Sequence, residues 1–241
     1  ISSQNNPTQK PDLDNLETLI PVPDWIKTWR GTKVFEKTST AILVMGEMGL
    51  ALRPSIIKMM ARRLSLAVTN KNLDEALNWL MKPDEESCLE LIEQVEGISA
   101  QGSSSGGNQP AVLRLTKEGE IAYQVLTGSP PKENEYDKLL RHHSSPEHTI
   151  LNIQVAEVLN EEGYLIQGQA KPIYLSNGET YIPDIIAVDP KTGEIVFIEV
   201  ERDVNKDYGT RKMRWMKFHE ASNGNLYVFC DNLNCQRAIQ G

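Results

Sequence analysis

The sequence predicts an α/β chain, α+β overall, with a helix-rich first half and a second half in which strands alternate with helices around a central mixed sheet. Three observations carry this. Residues 37–126 run helix, helix, helix, strand, flexible loop, strand, helix when judged by breakers and periodicity. Gly128, Ser129, Pro130 and Pro131 then break the chain near its middle. Beyond them, apolar and β-branched runs at 181–188, 195–201 and 226–230 are separated by a helical stretch or a turn.

The chain's 241 residues suffice for two domains, each with its own core. A composition of 39% hydrophobic and 24% charged residues is that of an ordinary globular protein, and no apolar run is long enough to span a bilayer. A membrane protein is therefore excluded, and with no secretory signal in the stretch given, a cytoplasmic setting is expected. Cys88, Cys230 and Cys235 are too few and too badly spaced for a disulfide framework or a zinc knuckle, so reduced thiols are expected. A formal net charge of −8 argues against holding nucleic acid through a diffuse positive field, but leaves room for local basic patches.

Residues 1–30 read as a polar arm, punctuated by Pro7, Pro11, Pro21 and Pro23, whose end is anchored by Trp25 and Trp29. Residues 31–128 form the first domain. Its helices start with Ala41–Met48, stopped by Gly49. The second opens at Pro54, and a third is capped by Asn72 and carries Leu73, Ala76, Leu77 and Leu80. Strands at 89–95 and 111–115 flank the Gly- and Ser-rich run 99–109, which has the length of a wing, and Thr116 caps a helix through Leu126. This is the element order of a winged helix-turn-helix, and Leu113-Arg-Leu-Thr-Lys-Glu-Gly119 resembles the strand-to-helix junction of bacterial winged-helix domains. On that reading Arg53, Lys58, Arg62, Arg63 and Lys71 contact DNA phosphates, and Asn72 and Asn78 read bases. Asp74, Glu75 and Glu85 weigh against it, and protein contact is the alternative use.

Residues 129–241 form the second domain. A mixed-charge helix comes first, then Ser145-Pro146 opens a helix that Gly163 ends. Strands follow near 164–169, 181–188 and 195–201, then a helix at 210–221, a strand at 226–230 and a short terminal helix. Asp189-Pro190-Lys191-Thr192-Gly193 has the chemistry of a turn between two β-branched runs. If Asp189 and Glu194 close a four-residue loop, counting back equally along both strands sets Asp184 opposite Glu199. Alternation puts Glu199 and Glu201 on one face, and Asp184 joins them there. Three acids in one place call for a cation, and hard oxygen ligands suit Mg²⁺ or Mn²⁺. The plain alternative is a solvated acidic face, which the flanking Ile-Ile-Ala-Val and Ile-Val-Phe-Ile runs disfavour.

Pro183-Asp184 and Glu199-Val-Glu201 resemble the PD-(D/E)xK nuclease superfamily, with Glu201 where that family usually has lysine. The resemblance spans about residues 146–235 and implies a restriction-endonuclease-like α/β domain. It implies a divalent ion held by Asp184, Glu199 and the Val200 carbonyl, with Glu201 binding a second ion or taking a proton from water. It further implies a helix glutamate, Glu157 or alternatively Glu161, and a basic helix, matched by Arg211, Lys212, Arg214 and Lys217. Lys212 or Lys217 stands in for the displaced lysine. With the first domain included, the chain loosely resembles the replication-relaxation family of plasmid and mobile-element proteins, through His142-His143 and the Phe197–Arg202 segment. The implied function is a metal-dependent DNA endonuclease acting as a homodimer or with another subunit; the alternative is an inactive DNA-binding factor on a nuclease-like scaffold.

Other candidates are weaker. Tyr208 reads as a loop residue and a conceivable nucleophile, although a lone tyrosine is more often structural. His142, His143 and His148 do not form a metal triad at this spacing, and surface roles are expected. No Gly-rich phosphate loop is present.

Overall fold

A computed structural model describes residues 21–82, 86–94, 111–142, 145–167, 171–202 and 208–240. The chain divides into two compact units, the first holding the described residues up to Ile92 and Val112–Asn134, the second mainly Glu135 onward. The predicted wing at 99–109, most of the predicted arm, and His143 lie outside the described residues.

In the first unit, α1 (Asp24–Arg30), α2 (Phe35–Met48), α3 (Arg53–Leu64), α4 (Lys71–Leu80) and α5 (Lys117–Thr127) surround one apolar core with the paired strands β1 (Leu89–Gln94) and β2 (Ala111–Leu115). The two tryptophans expected merely to anchor an arm are spaced one turn apart on α1. Trp29 is buried there, donating its indole N–H to Thr38 Oγ1 at 2.8 Å. Helix α2 begins earlier than Ala41 because Thr38, Ser39 and Thr40 turn their hydroxyls back onto the Val34, Phe35 and Glu36 carbonyls. Bonding within the helix lets a polar run be buried at little cost. It ends at Gly49, whose φ of 73° lies in the left-handed region that glycine enters without steric cost. The cap of α4 is Asn70, not Asn72: the Asn70 side chain accepts the Asn72 N–H at 3.1 Å. Thr116 caps α5 as predicted, accepting from the Gly119 N–H at 3.1 Å.

The second unit contains α6 (Glu135–Leu140), α7 (Pro146–Glu161) and the strands β3 (Leu165–Gln167), β4 (Ile173–Tyr174), β5 (Thr180–Tyr181), β6 (Ile185–Val188) and β7 (Ile195–Glu201). These are followed by α8 (Tyr208–Ser222), β8 (Leu226–Cys230) and α9 (Leu233–Gln240). A mixed sheet runs in the order β3-β6-β7-β8, antiparallel except for the parallel pair β7/β8 that α8 connects. Tyr208 thus opens a helix; its side chain lies outside the described residues. The expected strand 181–188 is split. Tyr181 pairs in the small β4/β5 ribbon, and Pro183, which has no N–H to give a ladder, precedes β6.

The β6/β7 hairpin has the register its turn dictates, Ile185 opposite Ile198 through Val188 opposite Ile195. The Asp189 N–H donates to the Glu194 carbonyl at 2.9 Å, and the Asp189 carboxylate accepts from the Lys191 and Thr192 N–H groups at 2.7 and 3.2 Å. Alternation then divides the sheet. Ile185, Ala187, Val196, Ile198 and Val200 pack with Val155 and Leu159 of α7, while Glu199 and Glu201 point to the opposite face, where α8 lies. Phe218 of α8 packs with Leu175 and Tyr181 beside them.

Candidate functional site

The site is assembled where β6 begins and β7 ends. Ser145 caps α7, its hydroxyl accepting the His148 N–H at 3.2 Å, and Pro146 supplies the first helical residue. That places His148 in the first turn, with Nε2 3.0 Å from Asp184 Oδ1. The other carboxylate oxygen, Oδ2, accepts the Val200 N–H at 2.8 Å. The register sets Pro183 opposite Val200, so the aspartate side chain takes up a ladder donor near where the β6 ladder stops. Asp184 is thereby fixed from two sides, by a helix and by a strand.

Glu199 is only 2% exposed and Glu201 6%. The Tyr181 hydroxyl donates to Glu199 Oε1 at 2.5 Å. Arg214 of α8 forks between the two acids, Nη1 on Glu201 Oε2 at 2.8 Å and Nη2 on Glu199 Oε2 at 3.3 Å. The guanidinium rests over the Phe218 ring, 4.9 Å from its centroid, and Phe218 in turn stacks on Tyr181 at 4.6 Å. Burial first, and the charge of Asp184 second, raise the Glu199 carboxyl to about 8, against the opposing pull of Tyr181 and Arg214. Burial and the Glu199 charge push the Tyr181 phenol far above its ordinary range, so it stays a donor. At the rim, Arg202 lies 3.6 Å from both Glu147 and Asp231, and the Ser145 hydroxyl on Glu147 holds that carboxyl below the usual range.

Compared with protein-family models, curated proteins and solved structures, the chain matches none. The reading of the site therefore rests on its residues.

Of the sequence candidates, Asp184 and Glu199 stand beside each other as the hairpin register requires, and Arg214 links Glu199 to Glu201. Val200 enters through its N–H, which holds Asp184. Glu157 and Glu161 do not join them by any described contact. They follow His148 on α7 by steps that carry them to the far side of the helix, away from the His148, Asn152, Val155 and Leu159 stripe. Lys212 is exposed and lies about half a turn round α8 from Arg214. Lys217 pairs with Glu179 at 2.6 Å, and the Arg211 side chain lies outside the described residues. In the first unit Arg53 is bound to Asp74 and Asn78, and Arg63 to Glu47, so both are engaged within the protein. Lys58, Arg62, Lys71 and Asn72 are exposed.

Sequence reasoning missed His148, Tyr181 and the part played by Arg214. One signal was present for the histidine. Ser145-Pro146 fixes the start of α7, which puts His148 on the same stripe as the buried Asn152. Nothing in the chain order announces that α8 delivers Arg214 to the acids.

The expected divalent ion needs a donor set. Among the described residues no three His, Cys, Asp or Glu side chains are drawn together as a ready ligand group. Asp184 and Glu199 nevertheless fit as a pair of hard oxygen donors side by side, Glu199 buried and Asp184 half-buried. Part of the compensation that charge counting assigned to an ion is supplied by a guanidinium. No helix among the described residues is long and apolar enough to cross a membrane.

Proposed function

We propose that the second unit is a PD-(D/E)xK-like domain that hydrolyses phosphodiester bonds in DNA with Mg²⁺ or Mn²⁺, and that the first unit is a winged-helix-type module that positions the DNA. The observation that carries this is the meeting of half-buried Asp184 with buried Glu199 at the open end of the β6/β7 hairpin, where the apolar packing of the sheet does not call for two acids. The order α7, β3, β6, β7, α8, β8 supports the same reading, being the order the resemblance implies.

Asp184 and Glu199 would hold the ion, which supplies polarisation of the scissile phosphate and a water acidified for attack. The chain's own residues do the rest. His148 and the Val200 N–H fix the Asp184 carboxylate, and Tyr181 fixes Glu199, so neither acid reorganises during the reaction. Glu201 is an acceptor for the proton of the attacking water once its bond to Arg214 is released. Arg214 presents a planar fork of donors suited to a phosphate's oxygens. The test is nicking of supercoiled plasmid: wild type cuts in Mg²⁺ or Mn²⁺, and Asp184→Asn loses the activity with its fold unchanged.

A second reading, a DNA-binding factor without catalysis, is favoured by one observation. Arg214 already engages Glu199 and Glu201, and Glu201 stands where the resemblance has lysine. Binding of plasmid without any metal-dependent cutting would select it.

A further inference from the structure

Arg214 differs from the other groups around the acids in one respect. Its side chain is 30% exposed, whereas those of Glu199 and Glu201 are 3% and 8% exposed. Solvent, and anything dissolved in it, reaches the guanidinium before it reaches the carboxylates. The acids are also held independently of it: Glu199 by Tyr181, and Asp184 by His148 and the Val200 N–H. Removing Arg214 from its fork would leave Asp184 and Glu199 in place, with Glu199 Oε2 facing the vacated position.

We propose that Arg214 is a displaceable plug that a nucleic-acid phosphate draws off the acid pair as a divalent cation takes its place. This rests on the hydrolytic reading and adds a rule of operation to it. Neither half of the exchange is favourable alone. Lifting Arg214 away strands buried carboxylates, and bringing a divalent cation beside a seated guanidinium sets like charges against each other. Made together, the two moves leave the acids beside a cation and the guanidinium beside an anion. Guanidinium binds phosphate in the bidentate manner in which it binds carboxylate, and carboxylate oxygens are hard donors for Mg²⁺ or Mn²⁺. The two ligands are therefore coupled, and by linkage each tightens the other by the same factor. The site stays closed to metal until nucleic acid is present.

The test uses the full chain, Mn²⁺ followed by electron paramagnetic resonance, and a short phosphorothioate DNA duplex followed by fluorescence anisotropy. Mn²⁺ bound by the duplex alone is subtracted. In wild type, Mn²⁺ tightens duplex binding, and duplex tightens Asp184-dependent Mn²⁺ binding, each by roughly tenfold. Arg214→Met binds Mn²⁺ more tightly than wild type without duplex, and its coupling disappears. Arg214→Lys, which keeps the charge without the fork, falls between them and decides the matter if circular dichroism shows Arg214→Met unfolded. Additive binding of the two ligands in wild type, with Asp184-dependent Mn²⁺ binding intact, overturns the plug and leaves the hydrolytic reading standing. Absence of Asp184-dependent Mn²⁺ binding in wild type and in both variants, with and without duplex, removes that reading and the plug with it.

Discussion

The first unit keeps its ion pairs at the surface, while the second buries two carboxylates beneath a guanidinium. Arg53–Asp74, Arg63–Glu47 and Arg114–Glu90 each join partly exposed groups around a core that is otherwise apolar or internally hydrogen-bonded. Such pairs contribute little, because water solvates the partners nearly as well when they are apart. Glu199 and Glu201 have no such recourse. Their burial costs stability unless Arg214 and Tyr181 remain in place. A fold can be completed without that cost, as the first unit demonstrates, so the place where the chain accepts it is the place to look for chemistry.

The largest expected effect breaks this contrast at its centre. Arg214→Met should lower stability by about 3 kcal/mol in urea denaturation near neutral pH, because two buried acids lose their cation. Next comes a pH dependence. The Glu199 carboxyl is raised in the folded protein relative to the unfolded chain, so between about 4.5 and about 8 the folded state holds the extra proton. Stability is therefore greatest below that window and falls as pH rises through it. Glu199→Gln should flatten the fall, by on the order of 1–3 kcal/mol across the window, in urea titrations run with chelator. Tyr181→Phe should cost about 1–2 kcal/mol by removing the hydroxyl that Glu199 accepts. The smallest effect belongs to the first unit: Arg63→Met should change stability by less than about 1 kcal/mol in the same denaturation assay. An Arg63 effect as large as that of Arg214 would dissolve the distinction between the two regions.

The same contrast sets what could be read from the chain order. Turn and cap chemistry is local, so the Asp189–Gly193 loop determined the hairpin register, and with it the meeting of Asp184 and Glu199. Thr116 and Ser145 were legible for the same reason. Local rules failed where two options lay close together, as at Asn70 and Asn72, or where hydroxyls bonded back into the helix hid the true start of α2. His148, Tyr181 and Arg214 were missed because their convergence depends on where α7, the β4/β5 ribbon and α8 come to rest on the sheet. That is fixed by packing at long sequence separation, through contacts such as Phe218 against Tyr181. Spacing along α7 sets Glu157 among Ile150 and Ile153, opposite the stripe that carries His148 and Asn152.

The most direct measurement compares nicking of supercoiled plasmid in Mn²⁺ by wild type, Asp184→Asn and Arg114→Met, the last at a surface ion pair with Glu90. Wild type and Arg114→Met are expected to cut, and Asp184→Asn to lose roughly a hundredfold or more. Full cutting by Asp184→Asn, or none by wild type under conditions where it binds the plasmid, would contradict the hydrolytic reading.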